Sequence, residues 1–335
     1  MTDNRAGIPS VVERTRPFDA GAPAVAAHFL GDTAVFVLGE EALLFVPRAG
    51  EARRVSVHGG AILCSAADVS RIVTSGDDGN VMVTDAQGKT ITVATDAKHR
   101  WIDHVALGPA GAIAWSAARE AFVGTAKGAE RSLAVPSSVG GLAFAPKGLR
   151  LAVAHYNGVT LWFPNAESAP DTLAWKGSHL AVTFSPDARF LVTSMQEPAL
   201  HGWRLADRKD MRMSGYGARV RALDFSVGGK WLATSGSNQL ILWPFQAKDG
   251  PMGKTPRILA PAEPQVEVVA CHPKQEVVAV GYADGLVLLV RIEDGAEILA
   301  RKGAGAPITA LAWSATGTAL AIGAEDGSAG VIDLG

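Results

Sequence analysis

The sequence predicts an all-β fold built from repeated four-stranded antiparallel units, and three observations lead to that prediction. The segment from Thr74 to Asp85, TSGDDGNVMVTD, places Asp78-Gly79 between alternating apolar residues, the strongest short-range signal for a β-hairpin. Related hairpins recur along the whole chain of 335 residues. The 37 Gly and 18 Pro make the composition rich in turns. Because the pattern runs from end to end, we expect residues 1–335 to form a single domain.

Each repeat unit begins with two apolar strands joined by a short turn, as in VTFSPDARFLVTS (Val182 to Ser194). The residue just before the turn marks each unit. These markers are Phe29, Cys64, Leu107, Phe144, Phe184, Phe225, Cys271 and Trp313. Their seven intervals average about 41 residues, and a third strand such as LILWPF and a weaker fourth strand follow each pair. Four strands in a unit of this length are typical of a β-propeller blade.

Several units resemble repeats of the WD-repeat (WD40) β-propeller family, and the chain resembles a divergent bacterial-type member of it. The resemblance is strongest in GLAFAPKGLRLAVAHYNGVTLWF, VTFSPDARFLVTS and ALDFSVGGKWLATSGSNQLILW. The family's third-strand tryptophan is present at Trp162, Trp203 and Trp243, but the Asp that should follow it is replaced by Phe163, Arg204 and Pro244. The family's hydrogen-bond network is therefore partial. His58, Ser75 and Asp77 or Asp78 come nearest to it, without the tryptophan.

Eight first strands are present, so we expect an eight-bladed β-propeller with four-stranded antiparallel blades. A seven-bladed propeller is the alternative, because the first and third units are weak. The last unit has only three strands. Family members complete the last blade with an N-terminal strand, and the resemblance implies that residues 10–18 close the ring here. About residues 1–9 are expected to be flexible.

Composition and charge limit the classes of partner. The 31 basic and 33 acidic residues nearly balance, which argues against a nucleic-acid or anionic membrane partner. No apolar run approaches 18 residues and no leader is evident, so we expect a cytoplasmic protein that does not bind membranes. Cys64 and Cys271 are far apart in apolar segments and are expected to be buried free thiols.

Catalytic signatures are missing from the sequence. It contains no G-x-S-x-G, H-E-x-x-H or G-x-G-x-x-G motif and no phosphate-binding loop, so we expect no enzyme activity and no cofactor. Four Asp-Gly or Asn-Gly pairs lie where two-residue turns are needed, at positions 78, 157, 284 and 326. The eight histidines are scattered and are interpreted as core or loop residues without a metal.

One face of the predicted propeller is the candidate binding surface. Loops that enter first strands share this face with loops that join second to third strands, and eight aromatic or basic residues lie in them. This predicted rim consists of Arg100, Trp101, Tyr156, Trp175, Lys176, Tyr216, Arg219 and Tyr282. Tyr, Trp and Arg dominate interface hot spots because they bury a large area with little loss of entropy. We therefore expect a non-enzymatic scaffold that binds a protein or peptide partner here and is otherwise monomeric.

Two other functions remain open at this point. A small-ligand, metal-binding or enzymatic propeller would use the axial channel, for which the sequence offers the following loose candidates: His28, His104, Arg219, Arg221 and Asp224. A purely structural subunit of a larger assembly would fit the same chain. The longest insertion, residues 247–265, is expected to be a solvated loop on the opposite face.

Overall fold

A computed structural model describes residues 7–125, 128–303 and 305–335, and regular structure in these ranges consists of β-strands and three short 3-10 turns. The 3-10 turns are Val12–Arg14, Pro109–Gly111 and Val227–Gly229. The strands, in chain order, are β1 Thr15–Asp19, β2 Ala24–Leu30, β3 Thr33–Leu38, β4 Ala42–Val46, β5 Arg53–Ser56, β6 Ile62–Ala67, β7 Arg71–Gly76, β8 Asn80–Asp85, β9 Thr90–Thr95, β10 His104–Leu107, β11 Ile113–Ala117, β12 Glu120–Thr125, β13 Gly128–Ala134, β14 Gly141–Phe144, β15 Leu151–Trp162, β16 Asp171–Phe184, β17 Phe190–Met195, β18 Leu200–Arg204, β19 Lys209–Met213, β20 Leu223–Phe225, β21 Trp231–Thr234, β22 Leu240–Pro244, β23 Arg257–Leu259, β24 Val266–Cys271, β25 Val277–Tyr282, β26 Val287–Arg291, β27 Glu297–Arg301, β28 Ile308–Trp313, β29 Ala319–Ala324 and β30 Ser328–Asp333.

These strands form seven antiparallel sheets within the described residues, six with four strands and one with six. The prediction of eight separate blades is therefore wrong, and seven, the alternative, is the number of sheets observed. The difference arises where the fourth and fifth repeat units meet. There β15 and β16 are long strands, and β16 pairs with β15 through residues 171–178 and with β17 through residues 179–184. Hydrogen bonding thus continues from β14 to β19 in one sheet.

The number of apolar residues in a strand depends on the position of that strand in its sheet. The second and third strands carry nearly continuous apolar runs, and β3 and β4 are buried along almost their whole length. Fourth strands such as β5 and β13 carry charged residues and are largely exposed. Sheets that are apolar on both faces cannot be stable alone, because each face must be covered by another apolar surface. Neighbouring sheets supply that cover.

The chain divides into two compact units. Unit 1 contains residues 1–39, 43–54 and 216–335. Its sheets stack through apolar side chains, as where Leu240 and Leu242 of β22 pack with Val278 and Val280 of β25. Val287 of β26 belongs to a further cluster in the same unit that continues into β29.

Unit 2 contains residues 40–42 and 55–215. Val73 and Val81 of one sheet pack with Val105 and Trp115 of the next sheet in the chain. Another cluster joins β11 and β12 to β15, so the sheets of this unit stack in sequence order.

An N-terminal strap, residues 9–19, fastens two sheets of unit 1. Pro9 and Val11 bond to Leu299 of β27 as a short parallel bridge, with N–O distances of 2.9 Å on both sides. After the 3-10 turn, β1 pairs with β30 from Thr15 opposite Ile332 to Asp19 opposite Ser328. The segment 10–18, expected to be a closing strand, thus consists of an isolated β-bridge, a 3-10 turn and strand β1. Residues 1–9, approximately, are expected to be flexible. Of these, residues 1–6 lie outside the described ranges.

Sheet β6–β9 has the hydrogen-bond network that the sequence predicts most clearly. Nδ1 of His58 lies 3.0 Å from a carboxylate oxygen of Asp78, and Nε2 lies 2.9 Å from Oγ1 of Thr74. The hydroxyl partner is therefore Thr74, where Ser75 was predicted. Ser75 points to the other side of β7, where its buried oxygen has no hydrogen-bond partner.

Removing the Phe18 ring from the strap should destabilise the protein. Phe18 lies edge-on to Phe36 with ring centroids 5.4 Å apart, so Phe18→Ala removes an aromatic pair from unit 1. We expect the free energy of unfolding to fall by about 1–3 kcal/mol in urea denaturation. Val69→Ala, at a highly exposed position, is the control and should change stability by less than about 0.5 kcal/mol. Equal effects of the two substitutions would contradict a stabilising role for the strap.

Candidate interaction surface

Five members of the predicted rim lie in unit 2, and two of them are strongly exposed aromatic residues. Trp101, in the loop between β9 and β10, has 62% of its surface exposed, and Tyr156, within β15, has 52% exposed. Lys176 is also exposed, and Trp175 is half-buried. These four side chains, Trp101, Tyr156, Trp175 and Lys176, are called the exposed rim below.

Hydrogen bonds connect the loops that carry the exposed rim. Nε2 of His104, which follows Trp101 by three residues, lies 3.2 Å from the carbonyl oxygen of Val139. The hydroxyl of Ser137, in that same loop, accepts the amide N–H of Tyr156 at 2.8 Å. The side chain of the next residue in β15, Asn157, accepts the N–H of Gly177 at 3.2 Å. A continuous row of bonded loops therefore runs from Trp101 to Lys176.

The loop that presents Trp101 is braced by Arg100. Its guanidinium donates to Asp96 at 2.7 Å and to Glu120 at 2.5 Å. Hydrogen bonds from Arg100 lower the pKa of Asp96 to about 2, so this carboxylate remains charged at neutral pH. Because Arg100 already has two carboxylate partners, its role in this structure is to hold the loop, and Trp101 projects from it.

Trp175 rests on a buried histidine. Its ring stacks on His201 with centroids 4.0 Å apart and an angle of 17° between planes. His201 is completely buried, and burial lowers its pKa to about 3, so the imidazole is neutral. Trp203 packs edge-on against the same ring at 4.7 Å. The neutral imidazole gives Trp175 an uncharged aromatic surface to stack on, and part of the indole stays exposed to solvent.

The three members of the predicted rim in unit 1 have different surroundings. Tyr216 and Tyr282 are buried, and Arg219 is half-buried. The hydroxyl of Tyr282 donates to the carbonyl oxygen of Ala260 at 2.6 Å. With their rings covered by the protein, these two tyrosines offer no contact area to a partner in this structure.

Tyr216 belongs to a directed chain of hydrogen bonds. Nε1–H of Trp243 donates to the Tyr216 oxygen at 2.7 Å, and that hydroxyl lies 2.9 Å from Oγ1 of Thr234. Thr234 in turn donates to the carbonyl oxygen of Ile241 at 3.0 Å. Tyr216 thus connects Trp243 and Thr234, and it takes the position that His58 takes relative to Thr74. Its spacing of 18 residues before Thr234, close to the 16 between His58 and Thr74, is the sequence signal that indicates this role.

The axial candidates of the alternative function are in differing environments. Arg221 borders a cavity of about 450 Å³ in unit 1, together with Glu267, Thr309 and Glu325. Burial lowers the pKa of His28 to about 4. In the described ranges, no group of three or more His, Cys, Asp or Glu side chains could hold a metal ion.

Asp224 is the axial candidate with the most unusual environment. Its carboxylate accepts the backbone N–H of Cys271 at 2.7 Å, which ties β20 to β24. Burial nevertheless raises its pKa to about 6. A carboxyl group that bridges two strands in an apolar setting is consistent with a structural link in unit 1.

Comparisons with known proteins find two matches to family models. A model of the WD domain, G-beta repeat, matches residues 209–244, and the anaphase-promoting complex subunit 4 WD40 domain matches residues 269–335. Both matches are to WD-repeat domains and cover less than half of the chain, and they support a member of the WD-repeat β-propeller family. No curated protein matches it in sequence. WD-repeat domains generally mediate protein interactions.

Solved structures of WD-repeat and related folds extend the likeness to most of the chain. The crystal structure of a computationally designed protein, Ika8, has a TM-score of 0.71 and 17% identity, covering 94% of this chain and 97% of that one. The RRP9 WD40 repeats have a TM-score of 0.62 and 16% identity, covering 84% of this chain and 97% of theirs. At these identities the likeness shows the fold alone. No helix in the described ranges is long and apolar enough to cross a membrane.

Removing the Tyr216 hydroxyl should destabilise this WD-repeat domain. Tyr216→Phe leaves Nε1 of Trp243 and the Thr234 hydroxyl without their shared partner inside an apolar core. We expect the free energy of unfolding in urea to fall by about 1–3 kcal/mol. Tyr156→Phe, on the exposed rim, removes the same atom and should cost less than about 0.5 kcal/mol. A Tyr216→Phe variant as stable as the Tyr156→Phe variant would rule out the hydrogen-bond chain.

The pH dependence of the free energy of unfolding should reveal the raised pKa of Asp224. Its pKa of about 6 in the folded protein exceeds the ordinary value of 3.8, so the folded state holds a proton that the unfolded state has lost. The free energy of unfolding should therefore decrease as pH rises from about 4 to 6, by up to about 3 kcal/mol. Asp224→Asn keeps the acceptor for Cys271 and should remove this component. Urea denaturation of both proteins from pH 4 to 7 measures it, and parallel curves would refute the assignment.

Proposed function

We propose that this protein is a non-enzymatic scaffold that binds a partner protein or peptide through the exposed rim. The observation that carries the proposal is the exposure of Trp101 and Tyr156 on segments that hydrogen bonds connect through residues 137–139. Large aromatic residues are normally covered in a soluble domain, and their exposure costs hydrophobic free energy unless a partner buries them. The general role of WD-repeat domains in protein interactions supports the same conclusion.

The rim is organised as an interface hot spot. Arg100 fixes the Trp101 loop, and His201 and Trp203 fix the ring of Trp175, so these surfaces are held in place before a partner arrives. Such preorganisation reduces the entropy lost on binding. Lys176, the residue after Trp175, is exposed and adds a positive charge to this part of the chain. A segment with apolar side chains and a neighbouring carboxylate has the matching chemistry.

The proposal includes a cytoplasmic location and no enzymatic activity. It rests on the absence from the sequence of catalytic motifs and of an apolar run that approaches 18 residues. It assigns Tyr216, Arg219 and Tyr282 no contact with the partner, since the two tyrosines are buried in unit 1.

Substitutions on the exposed rim test the proposal. Trp101→Ala and Tyr156→Ala should each weaken binding by about 30-fold, the equivalent of about 2 kcal/mol for a hot-spot residue. Partners are recovered from the native cell extract by affinity capture and identified by mass spectrometry, and the affinity of each recovered protein for the variants is then measured by calorimetry.

The matched control is Ile258→Ala, which truncates a side chain with 51% exposure in unit 1, outside the rim. It should leave binding unchanged, and all variants should have the melting temperature of the wild type to within about 2 °C. If Trp101→Ala and Tyr156→Ala bind the recovered partner as tightly as the wild type does, the exposed rim is not the binding surface.

A further inference from the structure

The outer edges of the sheets differ in how they are protected from pairing with another strand. In each sheet the first strand packs beside the first strand of a neighbouring sheet, whereas the outer strand ends the hydrogen-bonded ladder. The seven outer strands in the described residues are β1, β5, β9, β13, β19, β23 and β27. An outer strand exposes unpaired N–H and C=O groups, to which another chain can bond.

Six of the seven outer strands carry charged residues. These are Arg16 and Asp19 in β1, Arg53 and Arg54 in β5, Glu130 and Arg131 in β13, Lys209, Asp210 and Arg212 in β19, Arg257 in β23, and Glu297 and Arg301 in β27. Pro17 also interrupts β1, and the strap covers β27 at Leu299. Charges, proline and covering segments are the usual means by which proteins block edge-to-edge association.

Strand β9 has none of these protections. Its sequence, TITVAT, contains no charge and no proline and consists of residues with high β-propensity apart from one alanine. Ile91 is 52% exposed and Val93 is 41% exposed. A bulge at Val93 shifts the register against β8, but the strand continues to pair on both sides of it.

The side chains of β9 are sorted between its two faces. The hydroxyls of Thr90 and Thr92 bond to Thr84 and Met82 of β8, so they fasten β9 to its own sheet. Ile91 lies between them on the other face, in solvent, and Val93, at the bulge, is exposed as well. The strand is therefore held firmly along one edge, while its opposite edge and its apolar side chains are available.

We propose that β9 is a self-association edge, through which two copies of this protein pair as antiparallel strands. A second copy fits the chemistry, because an uncharged strand meets no like charge when it pairs with itself about a two-fold axis. If the axis passes beside Thr92, Ile91 of one copy lies opposite Val93 of the other, and the reverse pair is formed as well. The two β6–β9 sheets then become one continuous eight-stranded sheet.

The strap shows that this chain already closes sheet edges by strand addition. Residues 9–11 add to β27 and β1 adds to β30, both through backbone hydrogen bonds. The proposed pairing uses the same interaction between molecules. It buries only a short strand, so the dimer should be weak, with a dissociation constant of about 10⁻⁵–10⁻³ M. This departs from the monomer expected from the sequence.

Sedimentation equilibrium of the wild type up to about 1 mM tests the proposal. We expect a monomer–dimer equilibrium that Ile91→Lys and Val93→Lys each weaken at least tenfold, since a lysine on the edge must stay hydrated. Ile258→Lys is the matched control, because Ile258 is 51% exposed on outer strand β23, and it should dimerise as the wild type does.

Hydrogen exchange of the unmodified protein gives a second, independent measurement. Amides of residues 90–95 should exchange more slowly at high than at low protein concentration, while those of β23 should not change. A wild type that stays monomeric at 1 mM, or a dimer that survives Ile91→Lys and Val93→Lys, overturns the proposal. Protection of residues 90–95 that requires a different protein and not a second copy overturns it too.

Discussion

Burial of both faces of each sheet is the constraint on which the rest of this structure depends. The second and third strands are apolar on both sides, so a single sheet would expose a large hydrophobic surface to water. Within each unit that surface is covered by the next sheet in the sequence. Outer strands such as β5 and β13, in contrast, carry exposed polar and charged residues and can meet a partner.

The family's hydrogen-bond network is retained in function though not in residue type. In sheet β6–β9 a histidine joins a threonine to an aspartate, whereas in sheet β20–β23 a tyrosine joins a threonine to a tryptophan. Both arrangements satisfy a buried threonine hydroxyl next to the start of the third strand. Burial raises the pKa of Tyr216 further above its ordinary value, so the hydroxyl keeps its proton.

The repeat and the strand order follow from periodic patterns that a sequence displays directly. The hairpin at Asp78-Gly79 forms as expected, with Gly79 at a φ of 76°. The number of sheets could not be predicted in the same way. The sequence predicts separate strands in the region of β15 and β16, whereas hydrogen bonding continues through both of these long strands and joins two repeat units in one sheet. The burial of Tyr216 and Tyr282 could not be predicted either. The sequence does not show whether a tyrosine hydroxyl faces solvent or, as in Tyr282, donates to a backbone carbonyl inside the protein. Trp101, in contrast, lies in a loop as expected and is exposed, and Tyr156 is exposed although it lies within β15.

The strap joins segments that are far apart in the sequence. Thr15 pairs with Ile332, so the first of the described strands is paired with the last of them. Contacts this distant in sequence form slowly, because a very long loop must close first. The pairing of β1 with β30 is therefore expected late in folding, after the intervening sheets, and the edge of β30 stays open until it forms.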